Sequence, residues 1–213
     1  VTTKLTIYNG ALLICKERFL ASTSEEREPR RLLDHVWDNG GIRSCLEEGQ
    51  WHFAMRTVQI DYDPSIEPDF GYRRAFEKPT DWVRTSALCS DEYLNVPLTQ
   101  YTDEAGYWYA DLDALFIRYV SDDTDYGLDL NKWPESFSRF VEAHFAGQII
   151  GKLSGGQERE AEVFAKRREA LLQAKSKAAQ TQPTRFAAQG AWTSSRRRFA
   201  GGNDRGGRGS LIG

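Results

Sequence analysis

A chain of 213 residues with 40% hydrophobic and 28% charged residues has the length of one domain with an appendage, not of a large multidomain enzyme. No stretch approaches the roughly 20 consecutive apolar residues that a helix needs to cross a bilayer, so no membrane span is expected. The net charge of −3 is unevenly spread: six arginines against Asp204 make residues 181–213 basic by +5, which leaves −8 on residues 1–180.

Leu5, Tyr8, Leu12, Cys15 and Phe19 recur at intervals of three and four, the stripe of an amphipathic helix over 5–20, weakened at Asn9-Gly10. A turn over 22–28 leads to Pro29, which suits the first turn of a helix because it has no N–H to leave unpaired. The second helix is read as running to about Gly49. Leu33, Val36 and Trp37 share one side, while Ile42 follows Leu33 by nine residues and lies about 180° round the axis. This helix is therefore contacted on two sides, or bent at Asn39-Gly40-Gly41.

From Gln50 the period shortens. Residues 51–62, 82–89, 93–101, 107–110 and 115–120 are short, aromatic and β-branched, and read as strands. Asp63-Pro64, Lys78-Pro79 and Glu104-Ala105-Gly106 punctuate them. The last three strands fit a meander, with a hairpin loop at 103–106 and a second corner at 111–113.

Helical spacing returns at Pro134-Glu135, followed at three and four by Phe137, Phe140, Val141, His144, Phe145, Gln148 and Ile149. After Gly155-Gly156, residues 158–179 are rich in strong helix formers, and Phe164, Leu171 and Ala178 leave a single narrow apolar seam. Beyond Gln180, Ala, Gln, Ser, Arg and Gly surround Phe186, Trp192 and Phe199. Such a segment cannot bury a core of its own. Its aromatics are expected to be buried on a partner, against the plainer alternative of a solvated tail with chance aromatics. The elements add up to an α+β chain, mainly α. A four-helix bundle is built from residues 1–50 and 131–180, with an inserted antiparallel β-rich subdomain over 51–130 and an extended C-terminal arm over 181–213.

Signals for chemistry are sparse. Cys15, Cys45 and Cys89 form no close pair and their number is odd, so they read as reduced, buried small hydrophobes; the chain has no Asn-x-Ser/Thr sequon. Residues 1–6 lack the basic and apolar regions of a secretory signal, and export by that route is not expected. Glu142 and His144 point about 200° apart on a helix and cannot jointly grip a metal, so His144 reads as a core histidine. A calcium loop starting at Asp122 would have Thr124 and Tyr126 at its third and fifth positions and Trp133 at its twelfth, which fails the template. The run from Gly147 to Leu153 is one residue short of a phosphate-binding loop and carries Leu153 where Ser or Thr is required. Asp61 with Asp63, and Asp111 with Asp113, are carboxylate pairs of the kind that glycosidases use, without any sign of a cleft. No catalytic, cofactor-binding or metal-binding residue is assigned, and no cofactor is expected.

Five short motifs stand out: Tyr8-Asn9-Gly10-Ala11-Leu12 in the first helix, Leu20-Ala21-Ser22 at its exit, Leu32-Leu33 opening the second helix, Trp51-His52-Phe53 where helix hands over to strands, and Trp133-Pro134-Glu135 at a helix entry. With them the chain resembles the tail tubular protein A type of head-to-tail adaptor, or connector, of tailed bacteriophages and prophages. It departs from the short-tailed phage members at Gly49-Gln50-Trp51, where they have glycine next to tryptophan, and its Arg/Gly end beyond Arg198 has no counterpart in them.

The resemblance implies a non-enzymatic virion protein, assembled in the host cytoplasm as a homo-oligomeric ring, usually a dodecamer, at the head–tail junction. Its partners would be the portal protein on one side and the tail nozzle or tube protein on the other. Genomic DNA would pass through the channel without sequence-specific binding, and an acidic lining would repel its phosphates. The arm would lie on the portal, with Phe186, Trp192, Arg196, Arg197, Arg198 and Phe199 as its contacts. Two other readings stand beside this one. Arg196-Arg197-Arg198 and Arg205-Gly206-Gly207-Arg208 resemble arginine-glycine segments that bind single-stranded nucleic acid. A virion-associated cell-wall hydrolase would need carboxylates such as Asp61 or Asp111, and no motif favours it.

Overall fold

The computed structural model describes residues 2–69, 71–153 and 156–181. Helices α1 (Lys4–Ile14), α2 (Glu28–Asp38) and α3 (Gly41–Glu47) come first, then strands β1 (Met55–Asp61), β2 (Arg74–Glu77), β3 (Trp82–Cys89), β4 (Thr102–Glu104), β5 (Tyr107–Ala110) and β6 (Ala114–Ser121), and finally helices α4 (Glu135–Leu153) and α5 (Gln157–Gln180). Five helices and two three-stranded antiparallel sheets, 44% helix and 20% strand, replace the expected four-helix bundle. The mixed α+β character is compatible with the structure; the bundle is not.

The extra helix has a local cause. Asn39 closes α2, and Gly40 takes the left-handed conformation, φ 79°, that caps the start of α3. A β-carbon on the next glycine, Gly41, would stand 2.6 Å from the Val36 carbonyl oxygen. The two glycines thus break the predicted second helix instead of bending it, and Leu33 and Ile42 reach the core from separate helices.

The first helix is also shorter than its apolar stripe. Thr3 and Thr6 form a reciprocal capping box at the start of α1, and Lys16 adopts φ 61° just beyond its end. Asn9 then holds the returning chain. Its amide oxygen accepts from the Leu20 N–H at 2.8 Å and its amide nitrogen donates to the Leu20 carbonyl at 3.1 Å. Phe19 belongs to this loop.

Helix α4 is buried on most of its circumference, with Phe137, Phe140, Val141, Phe145, Ile149 and Ile150 all inside. Helices α1, α2, α3 and α5 all contact it. The Pro134 carbonyl accepts from the N–H groups of Phe137 and Ser138 and starts the helix. Around Phe137 the rings of Trp51, Phe53 and Trp133 lie 4.8 to 4.9 Å away, centroid to centroid, the tilted and edge-on geometry that aromatic quadrupoles favour.

In the first sheet β6 is central, between β1 and β3; in the second, β5 is central, between β2 and β4. Leu115, Ile117 and Tyr119 alternate along β6 and pack with Phe76, Trp108 and Ala110 of the second sheet. Val120, on the other face of β6, joins the helical core. The strands therefore do not form the expected meander, because β5 and β6 belong to different sheets. Nor is 93–101 a strand. Asp91 accepts from the N–H groups of Asn95 and Val96 and shapes a loop there, and β4 begins only at Thr102. The expected hairpin loop is present, with Ala105 and Gly106 at φ 47° and 88°.

Candidate functional site

Phe186, Trp192, Arg196, Arg197, Arg198 and Phe199, the residues expected to make arm contacts, lie outside the described residues. The five short motifs do have clear local roles. Tyr8 is buried on α1, and its hydroxyl donates to Asp34 Oδ1 at 2.7 Å. Lys4 and Arg30 pair with the same carboxylate. Burial works against the charge on Asp34, yet the hydrogen bonds from Tyr8 and Lys4 hold its carboxyl below the usual range. A β-carbon on Gly10 would collide with the Glu142 carboxyl, so glycine lets that acid of α4 lie across α1. Trp51 donates from its indole to the Cys45 carbonyl, and Trp133 to that of Gly127.

A polar centre joins α3, α4 and α5. His144 of α4 stands 3.1 Å from Ser44 Oγ through Nε2, while its Nδ1 accepts from Arg167 Nε at 3.1 Å. Arg167 also reaches Glu48 at 2.9 Å. This layout superficially looks like a serine hydrolase array, but its proton positions are reversed. A guanidinium only donates, so Nδ1 has no hydrogen and Nε2 carries it. Nε2–H donates to Ser44, whose hydroxyl passes on to the Gly41 carbonyl. His144 cannot take the Ser44 proton in this tautomer, and the array acts as a structural relay. Burial first, and then the Arg167 charge, depress the His144 pKa to about 4, which keeps the ring neutral. His144 is thus the core histidine that its helix position predicts. Arg167, Glu48 and Ser44 were not singled out from the sequence; the available signal was a charged residue between Phe164 and Leu171 on the apolar seam of α5.

A second polar centre fastens the first sheet. Asp81 accepts from Tyr119, Ser121 and Arg56. Arg43 of α3 bridges Asp122 and the Trp82 carbonyl, tying helix to sheet. The other carboxylates shape turns: Asp63 caps Ser65, Asp111 accepts from the Arg73 N–H, and Asp113 pairs with Arg74. In the acidic run Asp122 pairs with Arg43, Asp123 accepts from the Asp125 N–H, and Asp129 holds Asn131 and Lys132. No group of three or more His, Cys, Asp or Glu side chains converges on a metal position among the described residues. Cys15, Cys45 and Cys89 are buried and unpaired, and burial raises all three thiols, Cys15 to about 11.

The remaining features are surfaces. Leu13 on α1 and Phe19 beyond its end are 63% and 52% exposed, and Phe164 and Leu172 on α5 are 53% and 61% exposed. Tyr93 and Val96 stand out from the Asp91 loop. A recess of about 390 Å³ opens beside the last turns of α5, walled by Trp51, Phe53, Phe137, Ala174 and Ala178, with Glu135, Lys177 and Thr181 at its rim. Its chemistry is apolar and aromatic, of a size that takes a side chain or small ligand. No family model matches the chain, and none of the curated proteins matches it.

Proposed function

We propose that this protein is a structural subunit of a virion, a head-to-tail adaptor that closes into a homo-oligomeric ring between the portal protein and the tail nozzle or tube. The reading starts from the short motifs of the sequence, and one structural observation carries it furthest: the helical body has large apolar side chains exposed on two different helices, α1 and α5. Leu13 follows the buried Ala11 by two residues, about 200° round α1, and so faces away from the core. On α5, Glu162 and Phe164 are likewise about 200° apart. Glu162 pairs with Lys16 just past α1, while Phe164 lies against Gly147 on the side of Arg167. Leu172 is nine residues beyond the buried Val163, half-way round the helix.

Exposed apolar side chains on two different helices supply the unlike surfaces that a head-to-tail contact between identical copies requires, and such contacts close into rings when the rotation permits. The charged flanks of α5 would line such contacts with ion pairs. The acidic balance of residues 1–180 suits a channel through which DNA passes without sticking. In this reading the protein has no catalytic part, and the polar centres at His144 and Asp81 hold the body rigid.

Imaging of the purified oligomer, or of the particle vertex labelled for this protein, tests the reading. A ring with a central hole is the expected picture, and Leu172→Glu should abolish it while leaving the helical content unchanged. A chain that stays monomeric alone and with portal-bearing heads would overturn the proposal.

A further inference from the structure

Helix α5 meets its own body along one narrow seam. Of its 24 residues only Val163 and Ala174 are buried, both in the helical core. Turned away from that seam, Ala161, Ala165, Arg168, Leu172, Lys175 and Ala179 follow one another at alternating steps of four and three, the spacing that keeps side chains on one stripe of a helix. All six are exposed, and exposed Phe164 borders the stripe one turn before Arg168. This outer half of α5 is also basic. Residues 164–180 hold Lys166, Arg167, Arg168, Lys175 and Lys177 against Glu169, a balance of +4 in a body whose residues 1–180 carry −8. Arg168, in the middle of the stripe, has no side-chain partner among the described residues, and Lys175 reaches only Glu48, at 3.9 Å.

The second sheet holds the complementary surface. Trp108 of β5 points into the sheet cluster, so Tyr107 and Tyr109 on either side of it face outward, away from the first sheet. Tyr109 there walls a recess of about 360 Å³ together with Tyr72 and Ile66, and Glu67, Asp69 and Glu104 give the recess its charge. No Lys or Arg is among its described lining residues. These three carboxylates have no side-chain partner among the described residues, whereas Asp81, Asp103, Asp111 and Asp113 of the same sheets are all hydrogen-bonded or ion-paired. Two tyrosine rings beside three uncompensated carboxylates ask for a guanidinium, which forks onto carboxylates and stacks on ring faces. Arg168 between Phe164 and Leu172 offers that group with apolar side chains on either side.

We infer that the outer stripe of α5 docks on the tyrosine recess of a second copy, an inference that rests on the ring reading and names the two surfaces that meet. Arg168 enters beside Tyr72 and Tyr109, and Leu172 covers Ile66. Within one copy the two surfaces belong to different layers: α5 packs on α4, while the recess opens on the outward face of the second sheet, beyond the first. Each copy therefore carries one basic stripe and one acidic recess, unlike and unengaged, and a head-to-tail contact repeated from copy to copy engages both. Opposite charges set the register of that contact and reject a copy that approaches stripe to stripe or recess to recess.

The test is a charge swap in the full-length protein, read by sedimentation. Arg168→Glu and Glu104→Arg both replace exposed side chains, so the helical content should stay that of the wild type. Each variant alone should self-associate roughly tenfold more weakly, because every contact then sets like charges against each other. Mixed in equal amounts, the two variants should assemble again to within about threefold of the wild type, since alternating copies restore an opposite pair at every contact. The double variant Glu104→Arg/Arg168→Glu should recover in the same way. Rings that form undiminished from either single variant overturn the contact and leave the adaptor reading standing. Weakening that neither the mixture nor the double variant repairs also overturns it, and assigns the α5 stripe to another acidic surface, such as one on a portal or tail protein. Wild-type protein that stays monomeric, alone and with portal-bearing heads, overturns both readings.

Discussion

The helical part of the molecule and its paired sheets are held together by different means. Around α4 the core is large and almost entirely apolar, built from the rings of Tyr8, Trp51, Phe137, Phe140 and Phe145 with aliphatic side chains between them. Among the described residues the sheet cluster is smaller, seven buried side chains from Phe76 to Tyr119 with Val58, Ile60, Trp82, Leu98 and Leu112 packed against them. Paired charges accompany it. Lys78 lies 4.0 Å from the centroid of Trp82 and 5.2 Å from that of Trp108, and it pairs with Asp103, which also accepts the Trp108 indole N–H. Asp81 gathers Arg56, Tyr119 and Ser121 from β1 and β6. The comparison teaches that a small core survives where each buried charge is paired and hydrogen-bonded, and that such a core should fail through its polar groups.

The largest effect should come from the apolar side. Phe137 touches Trp51, Phe53, Trp133 and Phe140, so Phe137→Ala opens a cavity in the middle of the cluster. A loss of about 3–5 kcal/mol is expected, with a melting temperature lower by about 10 °C, measured by thermal unfolding. In the sheets the corresponding break is Asp81→Ala. Removing that carboxylate strands the Tyr119 and Ser121 hydroxyls and the Arg56 charge, at about 2–3 kcal/mol. Hydrogen exchange should show β1, β3 and β6 deprotected while α4 keeps its slow amides. Uniform loss of protection across both regions would mean that they unfold as one unit, and the contrast drawn above would fail.

The next effect lies between the two regions in kind, since it is a polar centre inside the apolar core. His144 has its pKa depressed from 6.5 to about 4, so between those values the unfolded chain binds a proton that the folded one refuses. Stability from this group is therefore full above pH 6.5 and falls as the pH drops toward 4, by up to about 3 kcal/mol. The groups facing it are Arg167, Glu48 and Ser44. His144→Gln can accept from Arg167 and donate to Ser44, so it should keep the fold at pH 7 and flatten that acid limb in urea titrations. An unchanged acid limb would show that another group sets it.

These contrasts were only partly visible in the sequence. The apolar period marked α4, helix-forming composition marked α5, and short aromatic and β-branched runs marked β1, β3 and β6, because these signals are local; the expected seam of α5 was misplaced at Phe164, which is exposed, while Val163 and Ala174 are buried. The partition of strands between two sheets was not visible, since pairing joins residues far apart, such as Phe76 with Trp108. The four residues of β2 are too few to show a period. Tyr93 and Val96 resembled strand residues but stand exposed on a loop shaped by Asp91, whose side-chain hydrogen bonds replace a ladder. The relay from Glu48 to Ser44 is a product of helix packing: His144 was legible as a core residue, whereas its partners arrive from two other helices. The arm residues Phe186, Trp192, Arg196, Arg197, Arg198 and Phe199 fall outside the described residues.

The smallest effect sharpens the same comparison from within α4. Glu142 is raised from 4.5 to about 7, first by burial and then by Glu135, with Arg139 opposing. Its sign is opposite to that of His144. Between pH 4.5 and 7 the folded chain holds a proton that the unfolded chain releases, so this contribution is full below 4.5 and disappears as the pH rises through 7. Over the window that the two groups share, the slopes oppose each other, and the wild-type stability profile should be flatter than either alone. Gly10→Ala distinguishes the causes. Its β-carbon meets the Glu142 carboxyl, which must swing outward into water; alanine is also the better helix former in α1, by about 0.8 kcal/mol, so the net change at pH 7 should stay below about 1 kcal/mol. What should change is the profile: with Glu142 solvated its share of the slope vanishes, and the acid limb from His144 steepens to its full value. A Gly10→Ala profile that overlays the wild type would mean that the carboxyl already lies in water, and that only the buried histidine links the apolar core to pH.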